Sequence, residues 1–242
     1  MLFYVKIEVT IDKEKGEVLG TLKGKTVLIT SGGTLEKWDR VRGHTNLSKG
    51  TMGCYLAEAA LAAGANVIYM HGYFAKLPKH QTQMRLIRFE GIEDLGNQIR
   101  TAVQEDQVDI VIMAAAGSDW VIDKVYDQSG NLMEEAGKMP SDEPPIIHFK
   151  KAPKVLGQIK EWQPNVTLVG FKLEAIDDVD FLLSRARLRM ASANAQLMIA
   201  NSSQSLYGEH EPHWLVPATG EPIKVNGKEQ TAKALMEYLQ EI

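Results

Sequence analysis

The stretch VLITSGGTLEKWDRVRGHTNLSKGTMG, Val27 to Gly53, decides how the rest of this chain is read. Its first four residues are β-branched or apolar and predict a buried strand. The strand runs directly into Ser31-Gly32-Gly33-Thr34, where glycines permit positive φ and leave backbone amides uncovered, and the flanking hydroxyls add donors. A charged loop comes next, and a helical pattern begins after Asn46-Leu47-Ser48-Lys49-Gly50-Thr51-Met52-Gly53. A helix starting there aims its N-terminal amides back at the strand's carboxyl end, which favours an anion. Two other glycine loops do not fit. A dinucleotide fingerprint needs G-x-G-x-x-G after the first strand and an acid closing the second, whereas Asn66 to His71 ends in His71-Gly72-Tyr73. Gly20 to Thr26 (GTLKGKT) has one residue too few between its glycines for a phosphate loop, and it precedes the strand it should follow.

The order Ser31-Gly-Gly-Thr34, Glu36, Asp39-x-Val41-Arg42 and Thr45-Asn46-x-Ser48-x-Gly50-x-x-Gly53 resembles the phosphopantothenate–cysteine ligase family in its stand-alone bacterial form. The resemblance continues through most of the chain from about Gly24. It departs at Gly43-His44 and at Lys49. It implies that Asn46 is catalytic and that Arg42, Ser48, Gly50 and Ala116 bind substrate. Gly32 and Gly33 become nucleotide-binding positions on the same grounds.

Downstream, the pattern is that of a doubly wound, mostly parallel, Rossmann-like α/β sheet. Leu56, Ala57, Ala60, Leu61 and Ala63 predict a helix stopped by Gly64, with a strand after it at 66–70. Residues 84–89 are a further strand candidate, 92–104 an amphipathic helix, and 108–113 an apolar strand buried on both faces. Ligands gather at the carboxyl ends of such strands. After Met113 comes Ala114-Ala115-Ala116-Gly117-Ser118-Asp119, a small-residue strand end whose Asp accepts hydrogen bonds from a ligand, helps hold a metal or simply caps a turn. By resemblance Met113, Ala114, Ala115 and Asp119 contact nucleotide.

Residues 125–145 lose periodicity and predict a long loop or flap. Lys138 lies in it; read alone it is a solvated charge, whereas the resemblance makes it the essential lysine. Pro153 is expected to open a helix at its first position, and by resemblance Pro153, Lys154, Val155 and Leu156 touch nucleotide. Phe171 ends a predicted strand at 166–171, where the resemblance sets it against the base. On the next helix, with Val179, Leu182, Leu183, Ala186 and Met190 on its apolar face, Arg185 and Arg189 stand four residues apart and project together. They correspond to lysines that reach the triphosphate. His210-Glu-Pro-His213 reads as a loop without a metal-ligand pattern, and residues 228–242 as a closing amphipathic helix.

Composition bounds the function. With 242 residues, 44% hydrophobic content and a formal charge of −4, the chain suits one α/β domain at 24–242, preceded by a β-hairpin extension at 1–23. It does not suit a broad nucleic-acid surface. No stretch reaches membrane-span length, and a single cysteine, Cys54, rules out an internal disulfide, so the cytoplasm is expected. The resemblance implies a homodimer that joins 4′-phosphopantothenate to cysteine in coenzyme A biosynthesis, using CTP or ATP with Mg²⁺. Two alternatives stay open. One is an NAD(P)-dependent reductase, although the Tyr-x-x-x-Lys pair it needs does not occur; the other is a non-catalytic nucleotide-binding module.

Overall fold

The computed structural model describes residues 11–12, 17–18, 22–133, 139, 141–175 and 178–242. Strands β1 (Ile11–Asp12) and β2 (Glu17–Val18) pair antiparallel, as expected of the N-terminal hairpin. Then come β3 (Thr26–Ser31), β4 (Leu35–Lys37), β5 (Gly43–Thr45), α1 (Thr51–Ala62), β6 (Asn66–His71) and β7 (Arg85–Arg88). The middle holds α2 (Ile92–Glu105), β8 (Ile110–Met113), β9 (Trp120–Tyr126), β10 (Ile146–Lys151) and α3 (Val155–Trp162). The chain finishes with β11 (Thr167–Glu174), α4 (Val179–Ala193), β12 (Leu197–Ser202), β13 (Pro212–Pro217), β14 (Ile223–Asn226) and α5 (Lys228–Gln240).

Eight strands form one sheet in the order β14-β13-β12-β11-β8-β3-β6-β7. All neighbours from β12 to β7 are parallel, and β13 and β14 run antiparallel at one edge. Leu95, Ile99, Val155, Ile159, Leu182 and Ala186 bring α2, α3 and α4 onto one face. Leu56, Ala57, Ala60, Leu235 and Met236 bring α1 and α5 onto the other. The chain turns to opposite sides of β3: β6 lies on one flank and β8 on the other. This switch point is where a crevice opens at the carboxyl ends of the strands.

Several expectations are corrected. The charged loop after Thr34 contains the antiparallel pair β4–β5. Pro153 does not open α3: the Ala152 amide bonds the Asp119 carbonyl at 3.0 Å, which keeps the chain extended, so Lys154 is the cap and the helix starts at Val155. Phe171 does not end its strand, because β11 stays in register with β12 as far as Glu174–Ser202. His213 lies in a sheet strand rather than a loop; Pro212 takes the strand's first position, where a missing amide is tolerated. Val179, at the start of α4, is exposed instead of packed. Among the described residues of and around the expected flap, β9 and β10 pair antiparallel, and Asp127 ties a tight turn to Asn131.

Candidate functional site

The motif glycines are explained by contact. Ser31, at the end of β3, is fully buried, and its Oγ donates to the Gly50 carbonyl at 3.1 Å. A Cβ on Gly53 would lie 2.2 Å from that Oγ, and one on Gly50 would lie 2.6 Å from it. The Gly50-x-x-Gly53 spacing therefore puts the bare side of α1's first turn on Ser31. Gly50 also takes φ 76° as the cap of α1, a conformation that suits glycine. Gly32, at φ 82°, packs against Ala75, and a side chain on Gly33 would meet the Asn46 carbonyl at 2.7 Å. These two glycines are spacers beneath the site and do not line the cleft. Their carbonyl and bridge contacts go to Ala116.

The ends of β3 and β8 are knitted together. Thr30 Oγ1 accepts from the Ala115 amide at 3.0 Å. Thr34 Oγ1 accepts from the Ser118 amide and donates to Ser118 Oγ, each at 3.0 Å. Glu36 is buried, and its carboxylate accepts from the Ile92 amide at 2.9 Å, satisfying an open amide at the start of α2. Asn46 joins this seam: its Nδ2 donates to the carbonyls of Ala116, at 2.9 Å, and Gly117, at 3.2 Å. Both amide hydrogens are thereby used, and Oδ1 is what Asn46 offers a ligand.

A cleft of about 1260 Å³ opens along these strand ends. It brings together Asn46, Ser48, Gly50, Met113, Ala114, Ala115, Ala116, Asp119, Pro153, Lys154, Val155, Leu156, Phe171, Arg185 and Arg189. Asn46 and Asp119, from separate crossovers, thus share one cavity. Lys49, Lys151, Lys154, Lys172, Arg185 and Arg189 also border it, and Asp119 is its one carboxylate among the described residues. That balance suits a polyanion. Asp119 is exposed and hydrogen-bonds Lys154 Nζ. Arg185 Nε reaches Glu174 at 3.4 Å.

Lys138 lies outside the described residues. Arg42 is not on the cleft; its guanidinium donates to Asp39 at 2.8 Å and to the Met139 carbonyl at 2.7 Å. Burial alone would raise the Asp39 carboxyl. The amides of Val41, Arg42 and Met139 and the Arg42 guanidinium outweigh it and hold the carboxyl down at about 2. Cys54 is no nucleophile candidate: burial pushes its thiol up, and its Sγ lies 3.4 Å from Tyr69 Oη.

At the far end of the cleft the resemblance pointed to Asn201, at the end of its strand, as part of the crevice floor, and Asn201 does line it; sequence reading missed Ser205, His213 and Lys228, which line it too. Burial, helped by Lys228 and opposed by the Glu211 carbonyl, lowers the His213 imidazole to about 4. The short, nearly continuous apolar run Pro212 to Pro217 was the available signal, because such a run marks a strand buried on both faces and carries His213 inward with it.

Comparison with known proteins agrees with this architecture. The family described as the C-terminal domain of DNA/pantothenate metabolism flavoproteins matches residues 22–242. The chain belongs to that family. Among its members, the coenzyme A biosynthesis bifunctional protein CoaBC of Thermococcus kodakarensis is 32% identical over 196 residues, 81% of this chain and 46% of that protein. The Bacillus subtilis CoaBC is 32% identical over 185 residues, 76% and 42% respectively. The chain spans about half the length of the curated relatives it matches. A crystal structure of the DNA/pantothenate metabolism flavoprotein from Streptococcus pneumoniae superposes with a TM-score of 0.80 at 28% identity, covering 90% of this chain and 99% of that one. The C-terminal domain of a CoaBC shares the fold at a TM-score of 0.71, with 92% and 97% covered and 24% identity.

Proposed function

We propose that this DNA/pantothenate metabolism flavoprotein domain is a phosphopantothenate–cysteine ligase of coenzyme A biosynthesis, driven by CTP or, less favoured, ATP. The single observation that carries the reading is the shared cleft. One cavity holds the Asn46 seam and a bank of seven cations, in a chain whose relatives are named for coenzyme A biosynthesis. In the first step a carboxylate oxygen of 4′-phosphopantothenate attacks the α-phosphorus of the nucleotide, and pyrophosphate leaves. In the second, cysteine's amine attacks the acyl carbon of the acyl-nucleotidylate, loses a proton, and the nucleoside monophosphate leaves. Neither step requires a protein nucleophile. Placement and charge stabilisation carry the catalysis.

Lys154, Arg185 and Arg189 supply charge for the phosphates, and arginine grips phosphate with two parallel N–H groups. The α1 N-terminus at Gly50 adds amide donors. Asn46 Oδ1, held by its own amide's bonds to Ala116 and Gly117, accepts from an N–H or O–H of the acyl substrate or the incoming amine. Lys138 is assigned the offsetting of negative charge during acyl transfer. Mg²⁺ fits as an ion carried by the triphosphate, since among the described residues Asp119 is the one cleft carboxylate and no group of three metal-ligating side chains occurs. Bound there, it neutralises phosphate charge.

We place the enzyme in the cytoplasm as a homodimer. Trp120, Ile146 and Phe149, on the β9–β10 hairpin, are 54%, 41% and 48% exposed, an apolar surface suited to a second subunit. Among the described residues no helix is long and apolar enough to cross a membrane. Incubation with cysteine, 4′-phosphopantothenate, Mg²⁺ and CTP or ATP is the direct test, with pyrophosphate and amide product followed separately in single turnover. Asn46→Ala is expected to abolish amide formation in a folded protein. Lys138→Gln is expected to let the acyl-nucleotidylate accumulate, raising the second barrier by about 2.7–4 kcal/mol. Normal amide production by either variant removes that residue from the mechanism.

A further inference from the structure

His44 is one of the residues at which the chain departs from the family pattern, and its ring links two sides of the cleft. It is the middle residue of β5, paired with Glu36 of β4. That pair is anchored: the Leu35 amide donates to the Glu90 carbonyl at 2.8 Å, and the Glu36 carboxylate takes the Ile92 amide at 2.9 Å. Asn46 follows His44 by two residues. On the other side, β9 begins at Trp120, the residue after Asp119. His44 Nε2 lies 3.2 Å from the Trp120 carbonyl and joins the two sides.

A carbonyl only accepts, so Nε2 carries a proton and donates it. The other ring nitrogen, Nδ1, is buried and meets no hydrogen-bonding partner among the described residues. Such an atom is a net cost that a phenyl ring of similar shape would avoid. The surroundings suit that ring. Trp38 stacks on His44 with centroids 6.5 Å apart and planes 12° apart, and Phe149 meets it edge-on at 5.1 Å. The β9–β10 register shifts between His148 and Phe149, and an irregularity of that kind re-aims a side chain. Packing therefore explains an aromatic residue at this position but not an imidazole. What the imidazole adds is Nε2 and its bond to Trp120.

That bond completes a bracket around Asp119. At one end Asn46 Nδ2 holds the carbonyls of Ala116 and Gly117, at 2.9 and 3.2 Å. At the other His44 holds the Trp120 carbonyl, and the Ala152 amide holds that of Asp119 at 3.0 Å. His44 and Asn46 belong to one short stretch of chain, so a single anchored stretch grips residues 116–120 at both ends. In the ligase reading Asn46 serves the acyl half of the reaction and Asp119 the nucleotide half.

We infer that His44 is a positioning residue, which through Trp120 fixes Asp119 and its nucleotide relative to the acyl substrate at Asn46. The assignment rests on the ligase reading above and deepens it. The tie matters while the two halves are separate molecules, when the carboxylate attacks the α-phosphorus. Once the acyl-nucleotidylate has formed, a covalent bond holds the halves together, and attack by cysteine depends on the tie far less.

Single-turnover kinetics of the full chain, wild type against His44→Phe, is the test. With CTP, 4′-phosphopantothenate and Mg²⁺, pyrophosphate release is expected to slow at least about tenfold, since a misplacement of about 1 Å can cost about a hundredfold. Each substrate titrated alone should bind as it does to wild type. Cysteine added after the acyl-nucleotidylate has accumulated should give amide at the wild-type rate. The urea midpoint should hold or rise, because the buried orphan is gone and the Trp120 carbonyl is open to water. His44→Gln, whose Nε2 can stand where the imidazole's does, should restore most of the lost rate. Should His44→Phe fail to fold, nitrogen NMR of the wild-type ring decides: a proton on Nε2 is expected, and a ring protonated on Nδ1 alone overturns the assignment. So does wild-type pyrophosphate release in His44→Phe, equal slowing of both steps, or a folded His44→Gln no faster than His44→Phe. A wild-type chain that releases no pyrophosphate sinks the ligase reading and the tie's role with it. Wild-type turnover matched by His44→Phe sinks the tie alone.

Discussion

The two ends of the cleft are built in opposite ways. At β3 the site is backbone against backbone: Gly50 and Gly53 let α1 sit on Ser31, and Gly33 lets the Asn46 carbonyl approach. At β13 the site is side chain against side chain, with Asn201, Ser205, His213 and Lys228 buried together. The first arrangement tolerates no added atom, while the second tolerates shape changes and depends on charge and protons. Perturbations of volume should therefore damage one end, and perturbations of pH the other.

The largest expected effect is at Gly53. A valine there would place Cβ 2.2 Å from Ser31 Oγ and 2.5 Å from Ser31 Cβ, and neither α1 nor β3 can retreat within a packed sheet. Gly53→Val should lose more than about 3 kcal/mol of stability, read from the urea midpoint at unchanged slope. Gly157, inside α3, is the matched control. A Cβ there meets nothing closer than 3.9 Å, so Gly157→Ala should be neutral or stabilising by up to about 1 kcal/mol. A Gly53→Val protein as stable as the parent would show that the glycine spacing does not serve close packing.

The same contrast explains what could be read from the residues alone. Asn46-x-Ser48-x-Gly50-x-x-Gly53 is contiguous, and each glycine is demanded by a local approach, so the pattern identified both the crossover and its cleft. Apolar runs such as Ile110–Met113 likewise announced buried parallel strands. The β13 corner draws Asn201, His213 and Lys228 from three elements, and no spacing links them. Arg42, which is not among the residues lining this chain's cleft, shows the same limit. One partner, Asp39, lies three residues back in the charged loop, but the other, the Met139 carbonyl, is 97 residues away in sequence. The short pair β4–β5 has too few residues to show alternation, and Pro153 lost its expected place to a single amide bond from Ala152 to Asp119.

Acid should find the β13 end. An unfolded chain protonates His213 near 6.5, whereas the folded chain does so only near 4. Because the unfolded state binds the extra proton first, the stabilising contribution is fully present above pH 6.5. It falls away as pH drops from 6.5 to 4, on the order of 3 kcal/mol in all. His213→Gln should flatten the stability profile across that window, as measured by denaturation at half-unit pH steps. An unaltered slope in the folded variant would mean that another group carries the acid sensitivity. Asp39 separates from this by its range: its carboxyl, held down to about 2, loses its contribution only as pH falls from 3.8 toward 2.

The smallest effect belongs to the middle of the cleft, where neither construction applies. Asp119 and Lys154 form an ion pair with side chains 69% and 57% exposed, so solvent screens their attraction and each remains available to a ligand. Lys154→Met should change stability by less than about 1 kcal/mol, with a difference that shrinks further in high salt. The same substitution should weaken nucleotide binding, since Lys154 caps α3 at the cleft and is one of its few cations on that rim. A large stability loss with intact nucleotide affinity would make the pair a structural tie. It would also move the phosphate contact to Arg185 and Arg189, whose side chains approach the cleft from α4.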